Sequence, residues 1–101
     1  MFLALWEFEV KPGCQKCFLK VYGPEGDWAK LFRKDANHLE TRLLHDLNRP
    51  ATYLTLDLWT SRQAYEAFTA AHAAEYERLD AAGEELTLKQ RKIGWFDRVE
   101  C

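Results

Sequence analysis

A strand that runs directly into a capped helix, over residues 54–65, constrains the fold more than any other feature of this sequence. Leucine occupies alternate positions over 54–58, which is typical of a strand with one apolar face. Thr60 or Ser61 then stands where a helix cap is expected, just before the apolar stripe of a helix. Strand, helix and strand patterns precede this junction, and one more strand pattern follows it. The chain order is therefore βαββαβ.

Periodicity and turn signals place the individual elements. The predicted strands cover residues 2–10, 38–46, 52–60 and 88–96, and the predicted helices cover 13–22, a continuation capped by Asp27, and a long stretch that ends near residue 86. Glycine and proline over 23–26 interrupt the first helical layer, because they cannot continue a stable helix. Two strand–helix–strand units in this order predict an α+β, ferredoxin-like fold. It has a four-stranded antiparallel sheet with both helices on one face.

The second face of that sheet has no helix to cover it. Leu3 and Leu5 point to this face from strand one, because side chains alternate along a strand. Parts of strands two and three join them. An uncovered apolar sheet surface usually marks an interface, so the sequence predicts a homodimer with the two sheets face to face.

Composition limits the class of protein and its partners. The 101 residues carry a formal charge of −2, which suits one domain over 1–101 and gives no electrostatic basis for binding nucleic acid. The early apolar run over 2–6 stops at Glu7 with no basic residue before it, so neither a secretory signal nor a membrane span is predicted. Three cysteines, an odd number, do not form a disulfide framework, and a cytoplasmic location is expected.

Three segments of the chain resemble the antibiotic biosynthesis monooxygenase-like family, and in particular an uncharacterised bacterial branch of it. They are residues 10–13 (Val-Lys-Pro-Gly), 22–32 (Tyr-Gly-Pro-Glu-Gly-Asp-Trp-Ala-Lys-Leu-Phe) and 58–61 (Leu-Trp-Thr-Ser), the last followed by Tyr65 and Phe68. The resemblance spans residues 3–96 and implies a dimeric α/β barrel. It also implies an oxidoreductase, a cofactor-independent monooxygenase that uses no metal or flavin and acts on a small aromatic phenol or quinol.

The same family contains haem-degrading enzymes, but their activity is not expected here. Those enzymes use an asparagine on strand one, a tryptophan on helix two and a histidine further along that helix. The corresponding positions of this chain hold Trp6, Phe68 and Arg78. None of the three side chains matches.

His72 is the candidate catalytic residue, because histidine titrates near neutral pH and could orient or deprotonate a phenol. Its structural alternative is a core histidine that bonds a neighbouring carbonyl. The candidate substrate-binding residues are aromatic side chains from the strands and the second helix, namely Trp6, Phe8, Trp59, Phe68 and Tyr76. No metal site is predicted, since His38 and His45 stand an odd number of residues apart on one strand and should face opposite ways.

Two further hypotheses remain open beside oxygenation. The first is a non-catalytic dimer of the same fold that binds a small ligand or has only a structural role. The second is a dithiol redox protein, because Cys14 and Cys17 open a helix and a helix N-terminus lowers the pKa of a thiol. Their place on an apolar stripe predicts that both are buried instead. Tyr22 and Trp28 flank the glycine-containing segment over 23–26, which forms either a plain turn or a lid over the mouth of a pocket.

Overall fold

The computed structural model describes residues 1–99, and two strand–helix–strand units account for most of them. Along the chain the elements are β1 (Phe2–Val10), α1 (Gln15–Tyr22), α2 (Asp27–Phe32), β2 (His38–His45), β3 (Thr52–Trp59), α3 (Arg62–Ala71), α4 (Ala73–Leu86) and β4 (Thr87–Asp97). Every predicted strand is confirmed to within one residue at each end.

The strands form one antiparallel sheet in the order β2-β3-β1-β4. β1 lies between β3 and β4, with Phe2 opposite Trp59 and Phe8 opposite Tyr53. Two interleaved strand–helix–strand units produce this order, so the ferredoxin-like prediction is confirmed. The helices cover the inner face of the sheet, and most of the side chains buried between the two layers are aromatic.

Glycine determines how the first helical layer is interrupted. A Cβ atom on Gly26 would lie 2.7 Å from the carbonyl oxygen of Lys20, which is closer than a side chain allows. The turn can therefore close onto the end of α1 only with glycine at this position. The interruption is as predicted, but Gly26 rather than Asp27 is the N-cap residue of α2, and α1 begins at Gln15 instead of residue 13.

The second helical layer is also interrupted, where the sequence predicts one continuous helix. Ser61 caps α3 as expected, because its hydroxyl accepts a hydrogen bond from the Ala64 N–H at 3.1 Å. His72 then leaves the helical conformation, with φ −117° and ψ 32°, before α4 begins at Ala73. The prediction of a single helix is wrong at this point, so His72 lies at a helix junction and not within a continuous helix.

A bulge in β2 changes the direction of His38. The pairing of β2 with β3 shifts register between His38 and Glu40, and the extra residue turns His38 toward the core. Its ring packs edge-on against Trp59, with 5.2 Å between ring centroids. His45 stacks on the buried Tyr53 at 4.5 Å. The prediction that the two histidines face opposite ways is therefore wrong.

The outer face of the sheet is apolar and has no helix over it in residues 1–99. It carries five half-buried leucines from the two central strands, which are Leu3, Leu5, Leu54, Leu56 and Leu58. Leu5 and Leu56 lie directly opposite each other across the β1–β3 pair. The structure thus has the uncovered surface on which the dimer prediction rests.

Candidate functional site

A half-open cavity of about 100 Å³ lies between the inner face of the sheet and the helices. Seven of its lining side chains are aromatic: Trp6, Phe8, Tyr22, Trp28, Phe32, Tyr65 and Tyr76. The polar side chains in the lining are Thr41, Thr55, Asp57, Asp80 and Gln90. An apolar cavity with a few polar groups is the usual form of a small-molecule site.

The alternation of β1 explains why space remains at this point. Ala4, Trp6 and Phe8 all point to the inner face of the sheet, and all three line the cavity. Alanine contributes a single methyl group between the larger rings, so the layer is not filled at its position. The opposite wall comes from the helices, where the ring of Tyr22 packs 4.6 Å from that of Phe8.

Tyr22 reaches the cavity because α4 has a glycine where the two helices meet. A Cβ atom on Gly83 would lie 1.9 Å from the Tyr22 hydroxyl oxygen. The glycine therefore makes room for the phenol group. Burial raises the pKa of Tyr22 to about 12, because the phenolate form would lose its hydration.

A chain of hydrogen bonds leads from β2 to a carboxylate in the cavity wall. The Thr41 hydroxyl donates to Asp57 Oδ1 at 2.6 Å and accepts from His38 Nε2 at 2.9 Å. The Asp57 residue is only 9% exposed. Within residues 1–99 Thr41 is its one hydrogen-bond donor, so Oδ2 is left for a bound molecule. The arrangement places a hydrogen-bond acceptor inside an aromatic cavity.

Two tyrosine hydroxyls provide donors in the same cavity. Tyr65 Oη lies 3.3 Å from Tyr76 Oη. Only one hydroxyl hydrogen is needed between them, so the other is available to a ligand. Burial raises the pKa of Tyr65 well above its ordinary value, and the neighbouring Tyr76 adds to this. Burial also raises the pKa of Tyr76, so both hydroxyls stay protonated at neutral pH.

Trp28 and Asp80 complete the polar groups of the lining. The Nε1–H of Trp28 is buried and makes no hydrogen bond of good geometry within residues 1–99, although it lies near enough to the Tyr22 hydroxyl to offset part of the rise that burial causes in the pKa of that tyrosine. A ligand or water would pair with this group more fully. Asp80 is exposed and lies at the mouth of the cavity. Partial burial, followed by the nearby Glu84, raises the pKa of its carboxyl group.

Three of the residues selected from the sequence line this cavity, and three do not. Trp6, Phe8 and Tyr76 are in the lining. Trp59 is fully buried, and Phe68 packs against it with 5.3 Å between ring centroids. These two rings form part of the core beside the cavity, so the structure does not bring them together with the other three.

His72 also lies outside the lining of the cavity. Its Nδ1 donates to the Phe68 carbonyl oxygen at 3.1 Å, and its ring stacks on that of Phe68 at 4.2 Å. The alternative to a catalytic role, a core histidine that bonds a neighbouring carbonyl, describes this arrangement. The catalytic role of His72 stays a prediction.

The sequence indicates that Asp57 lies on a buried face, although the alternating leucines around it draw attention to the other face of the strand. Asp57 alternates with Thr55 and Trp59 on the strand face that the flanking aromatic residues identify as buried. A carboxylate on a buried face loses hydration, which lowers stability, so its presence there indicates a functional role. Asp80 follows Tyr76 by one helical turn and shares its side of α4. The sequence also predicts a polar cluster of Arg42 with either Asp57 or Glu40, and in the structure Arg42 pairs with Glu40.

The cysteine pair is only partly buried. Cys14 packs against the core, as expected, but Cys17 is exposed. The prediction that both are buried is therefore wrong for Cys17. The remaining cysteine, Cys101, lies outside the described residues.

Metal and membrane sites can be assessed for the same range. Over residues 1–99, no three His, Cys, Asp or Glu side chains are grouped so that they could hold a metal ion. None of the helices in that range has the length and hydrophobicity of a membrane span.

Comparison with known proteins places the chain among characterised folds. The family model for antibiotic biosynthesis monooxygenase matches residues 1–78, while no curated protein matches by sequence. Among solved structures, the chain is similar to a variant of SnoaB, a cofactor-independent oxygenase from Streptomyces nogalater. The two share 17% identity and a TM-score of 0.80, over 99% of this chain and 94% of that one.

Two further solved structures show the same similarity. A protein from Deinococcus radiodurans that carries the same family name is 14% identical, with a TM-score of 0.80 over 100% of this chain and 95% of its own. PA3566 from Pseudomonas aeruginosa is 15% identical, with a TM-score of 0.71 over 98% of this chain and 94% of its own. At these identities the similarity establishes the fold.

Proposed function

Because the chain belongs to the antibiotic biosynthesis monooxygenase family, we propose that its cavity binds a small phenol or quinol and promotes its reaction with O2 without a metal or organic cofactor. The observation that carries the proposal is the pairing of opposite polar groups in one aromatic cavity. Asp57 offers a carboxylate oxygen without a donor, and Tyr65 and Tyr76 offer a hydroxyl hydrogen without an acceptor.

These groups suit the two demands of the reaction. A phenol reacts with O2 only after it has lost its proton, so the site needs a base, and Asp57 is placed to accept that proton. The substrate oxygen then carries negative charge, and neutral donors stabilise it. The tyrosine hydroxyls serve this purpose because their raised pKa values keep them protonated. The Nε1–H of Trp28, which makes no hydrogen bond of good geometry within residues 1–99, is a further donor.

The reaction balances with O2 as the only oxidant. A phenol with a free ortho or para position loses its O–H and one C–H hydrogen and gains one oxygen atom, which gives a quinone. The second oxygen atom leaves as water with those two hydrogens. The substrate supplies all four electrons, so no separate reductant is needed.

The size of the cavity limits the substrate. The volume of about 100 Å³ is smaller than the cavity of about 150 Å³ that holds one benzene ring in an apolar core. A single ring that projects in part through the open mouth fits this space. A fused multi-ring compound would require the walls to move.

The uncovered leucines of the sheet support the second half of the proposal, a homodimer with the sheets face to face. Half-buried leucines on both central strands offer the apolar surface that such an interface needs. A cytoplasmic location belongs to the same proposal, since the free thiols of Cys14 and Cys17 suit a reducing compartment.

The decisive experiment measures oxygen uptake with single-ring phenols and quinols, together with transfer of label from 18O2. We expect one labelled oxygen atom in each product molecule. Asp57→Asn should lower kcat by about 100-fold or more, as loss of a general base does, whereas Glu85→Gln, an exposed carboxylate on α4, should leave it unchanged. His72→Ala tests the other candidate base, and a loss confined to that variant would transfer the role to His72.

Binding must be measured in parallel with turnover. Quenching of tryptophan fluorescence reports occupancy of a cavity that has Trp6 and Trp28 in its walls. If phenols bind but none consumes oxygen, the non-catalytic hypothesis replaces the enzymatic one. If two reactive thiols are titrated and oxidise to a disulfide reversibly, the dithiol hypothesis built on Cys14 and Cys17 takes its place.

A further inference from the structure

The charge of the cavity limits the class of ligand that it can bind more than its shape does. Its lining holds two carboxylates, Asp57 and Asp80, and none of the lining residues within 1–99 is Lys, Arg or His. The nearest cation in register is Lys92, which pairs with Trp6 along the sheet. Its amino group lies instead over the Trp95 ring, 3.5 Å from the centroid. The cavity therefore contains negative charge and no fixed positive charge.

The aromatic side chains add to this preference. The face of an aromatic ring is electron-rich and attracts a cation, most strongly where water is excluded. Rings of Trp6, Tyr22, Trp28 and Tyr76 enclose the space from the sheet and from the helices. Trp28 and Tyr76 meet edge to face, with 4.7 Å between centroids, so the walls form a cage rather than a flat stack.

We propose that this cavity recognises a small organic cation, a primary or methylated ammonium group held between the aromatic walls and paired with the Asp57 carboxylate. An ammonium group donates to Asp57 Oδ2, which receives no hydrogen bond from residues 1–99. Asp80 at the mouth attracts the cation before it enters. The same two carboxylates repel an anionic ligand, for which the lining offers no charged partner.

His38 is an ionisable group that could offset this charge from behind the wall. Its Nε2 lies 3.7 Å from Asp57 Oδ1, and its side chain is 4% exposed. It contacts Asp57 through Thr41 and does not line the cavity. Protonation of His38 would neutralise at most one of the two carboxylates, so the cavity would still favour a cation.

For substrates, this inference rests on the proposed function and narrows it to a phenol that carries an ammonium group. During turnover Asp57 takes the phenol proton, so the ammonium group of such a substrate then pairs with Asp80 at the mouth, and the phenol oxygen meets the tyrosine hydroxyls. As a statement about binding, it does not depend on turnover. The two proposals can therefore fail separately.

The test compares three para-substituted phenols that differ in charge. They are tyramine, 4-ethylphenol and 4-hydroxyphenylacetate, which are cationic, neutral and anionic at pH 7. We expect tyramine to bind at least about tenfold more tightly than 4-ethylphenol, in line with a desolvated cation–aromatic contact, and the anion to bind least. Tetramethylammonium should displace tyramine from the cavity. Titration calorimetry measures all four.

Variants assign the preference to the cavity. Asp57→Asn should reduce the ratio between tyramine and 4-ethylphenol to about threefold, the part that Asp80 and the aromatic walls retain, while Glu85→Gln should preserve it. If Asp57→Asn does not fold, Asp80→Asn at the exposed mouth should reduce the ratio by about threefold. Equal binding of the neutral and cationic phenols, tighter binding of the anion, or no binding of any probe overturns the inference.

Oxygen uptake in the same samples separates the two proposals. Preferred binding of tyramine without oxygen uptake retains the cation site and rejects the oxygenase. If the two phenols bind equally and 4-ethylphenol supports at least as much oxygen uptake as tyramine, the oxygenase is retained and the cation site is rejected.

Discussion

Asp57 is a carboxylate on the buried face of β3, and such a residue marks the cavity beside it as a candidate site. A carboxylate on the inner face of β3 gives up hydration, and in this protein one hydroxyl compensates it in part. Apolar residues of similar size would pack the core better. The polar network of Asp57, Thr41 and His38 is thus hard to explain by stability, which favours a role in binding or catalysis.

Removal of the Thr41 hydroxyl measures the cost of this carboxylate. Thr41→Val keeps the shape of the side chain but takes away the donor to Asp57 Oδ1. We expect the free energy of unfolding in urea to fall by about 1–3 kcal/mol, because a buried acceptor is left unpaired. The matched control is Thr60→Val, which removes an exposed hydrogen bond to Asn37 and should cost at most about 0.5 kcal/mol. Equal losses in both variants would show that the carboxylate is well solvated.

The buried tyrosines predict a loss of stability at high pH. The pKa of Tyr22 rises from 10.0 to about 12 on folding, so between these values the unfolded chain has released a proton that the folded chain still holds. The stabilising contribution is complete below pH 10 and disappears as the pH approaches 12. It amounts to about 2–3 kcal/mol for Tyr22 alone.

Urea unfolding at pH 9 and pH 11 checks this pH dependence. Tyr22→Phe should reduce the difference in unfolding free energy between the two pH values, since the variant has no phenol to ionise at that position. Tyr65 and Tyr76, whose pKa values are also raised, should account for much of the remainder. A difference that is unchanged in Tyr22→Phe would contradict the prediction.

At the scale of the element, local sequence predicts where helices and strands begin far better than where they are distorted. The Ser61 cap and the glycine interruption before α2 both have chemical signals in the sequence, and both are found. The break at His72 has no such signal, because alanines, which favour a continuous helix, flank it on both sides. The bulge after His38 likewise depends on pairing with β3, which a single strand's sequence does not encode.

This difference explains why only half of the residues proposed from the sequence line the cavity. Trp6 and Phe8 follow from the alternation of β1, which needs no knowledge of the neighbouring elements. The space beside them depends on how α1 approaches α4 over Gly83, and that contact joins residues far apart in the chain. The prediction for His72 assumes one continuous helix, whereas the structure has a junction between two helices at His72.

The cap of α3 is a local device whose contribution can be tested alone. Ser61→Ala removes the oxygen that accepts from the Ala64 N–H and should lower the free energy of unfolding by about 1 kcal/mol, whereas Ser61→Asp should retain most of it. Urea unfolding of the three proteins gives both values. A loss as large in Ser61→Asp as in Ser61→Ala would mean that the hydroxyl acts through some contact other than the cap.

At the scale of the whole molecule, the sheet has two faces with different tasks. The inner face supplies the aromatic and polar walls of the cavity, and the outer face presents leucines that no part of residues 1–99 covers. Leu5 and Leu56 pair at the centre of that outer surface. Their burial by a second copy would stabilise a chain of only 101 residues, since small domains bury a smaller fraction of their surface on folding.

A charge at the centre of the outer face should therefore separate the two copies. We expect the wild-type protein to elute with roughly twice its chain mass of 11.9 kDa in size-exclusion chromatography with light scattering. Leu56→Asp should shift it to the monomer mass, because an unpaired carboxylate at the centre of an apolar interface is strongly unfavourable. Leu47→Asp is the matched control, since Leu47 is 92% exposed in the turn between β2 and β3, and it should remain dimeric. If Leu56→Asp also stays dimeric, the copies meet through another surface. If Leu56→Asp is instead a monomer and still binds phenol, each cavity is complete within one chain.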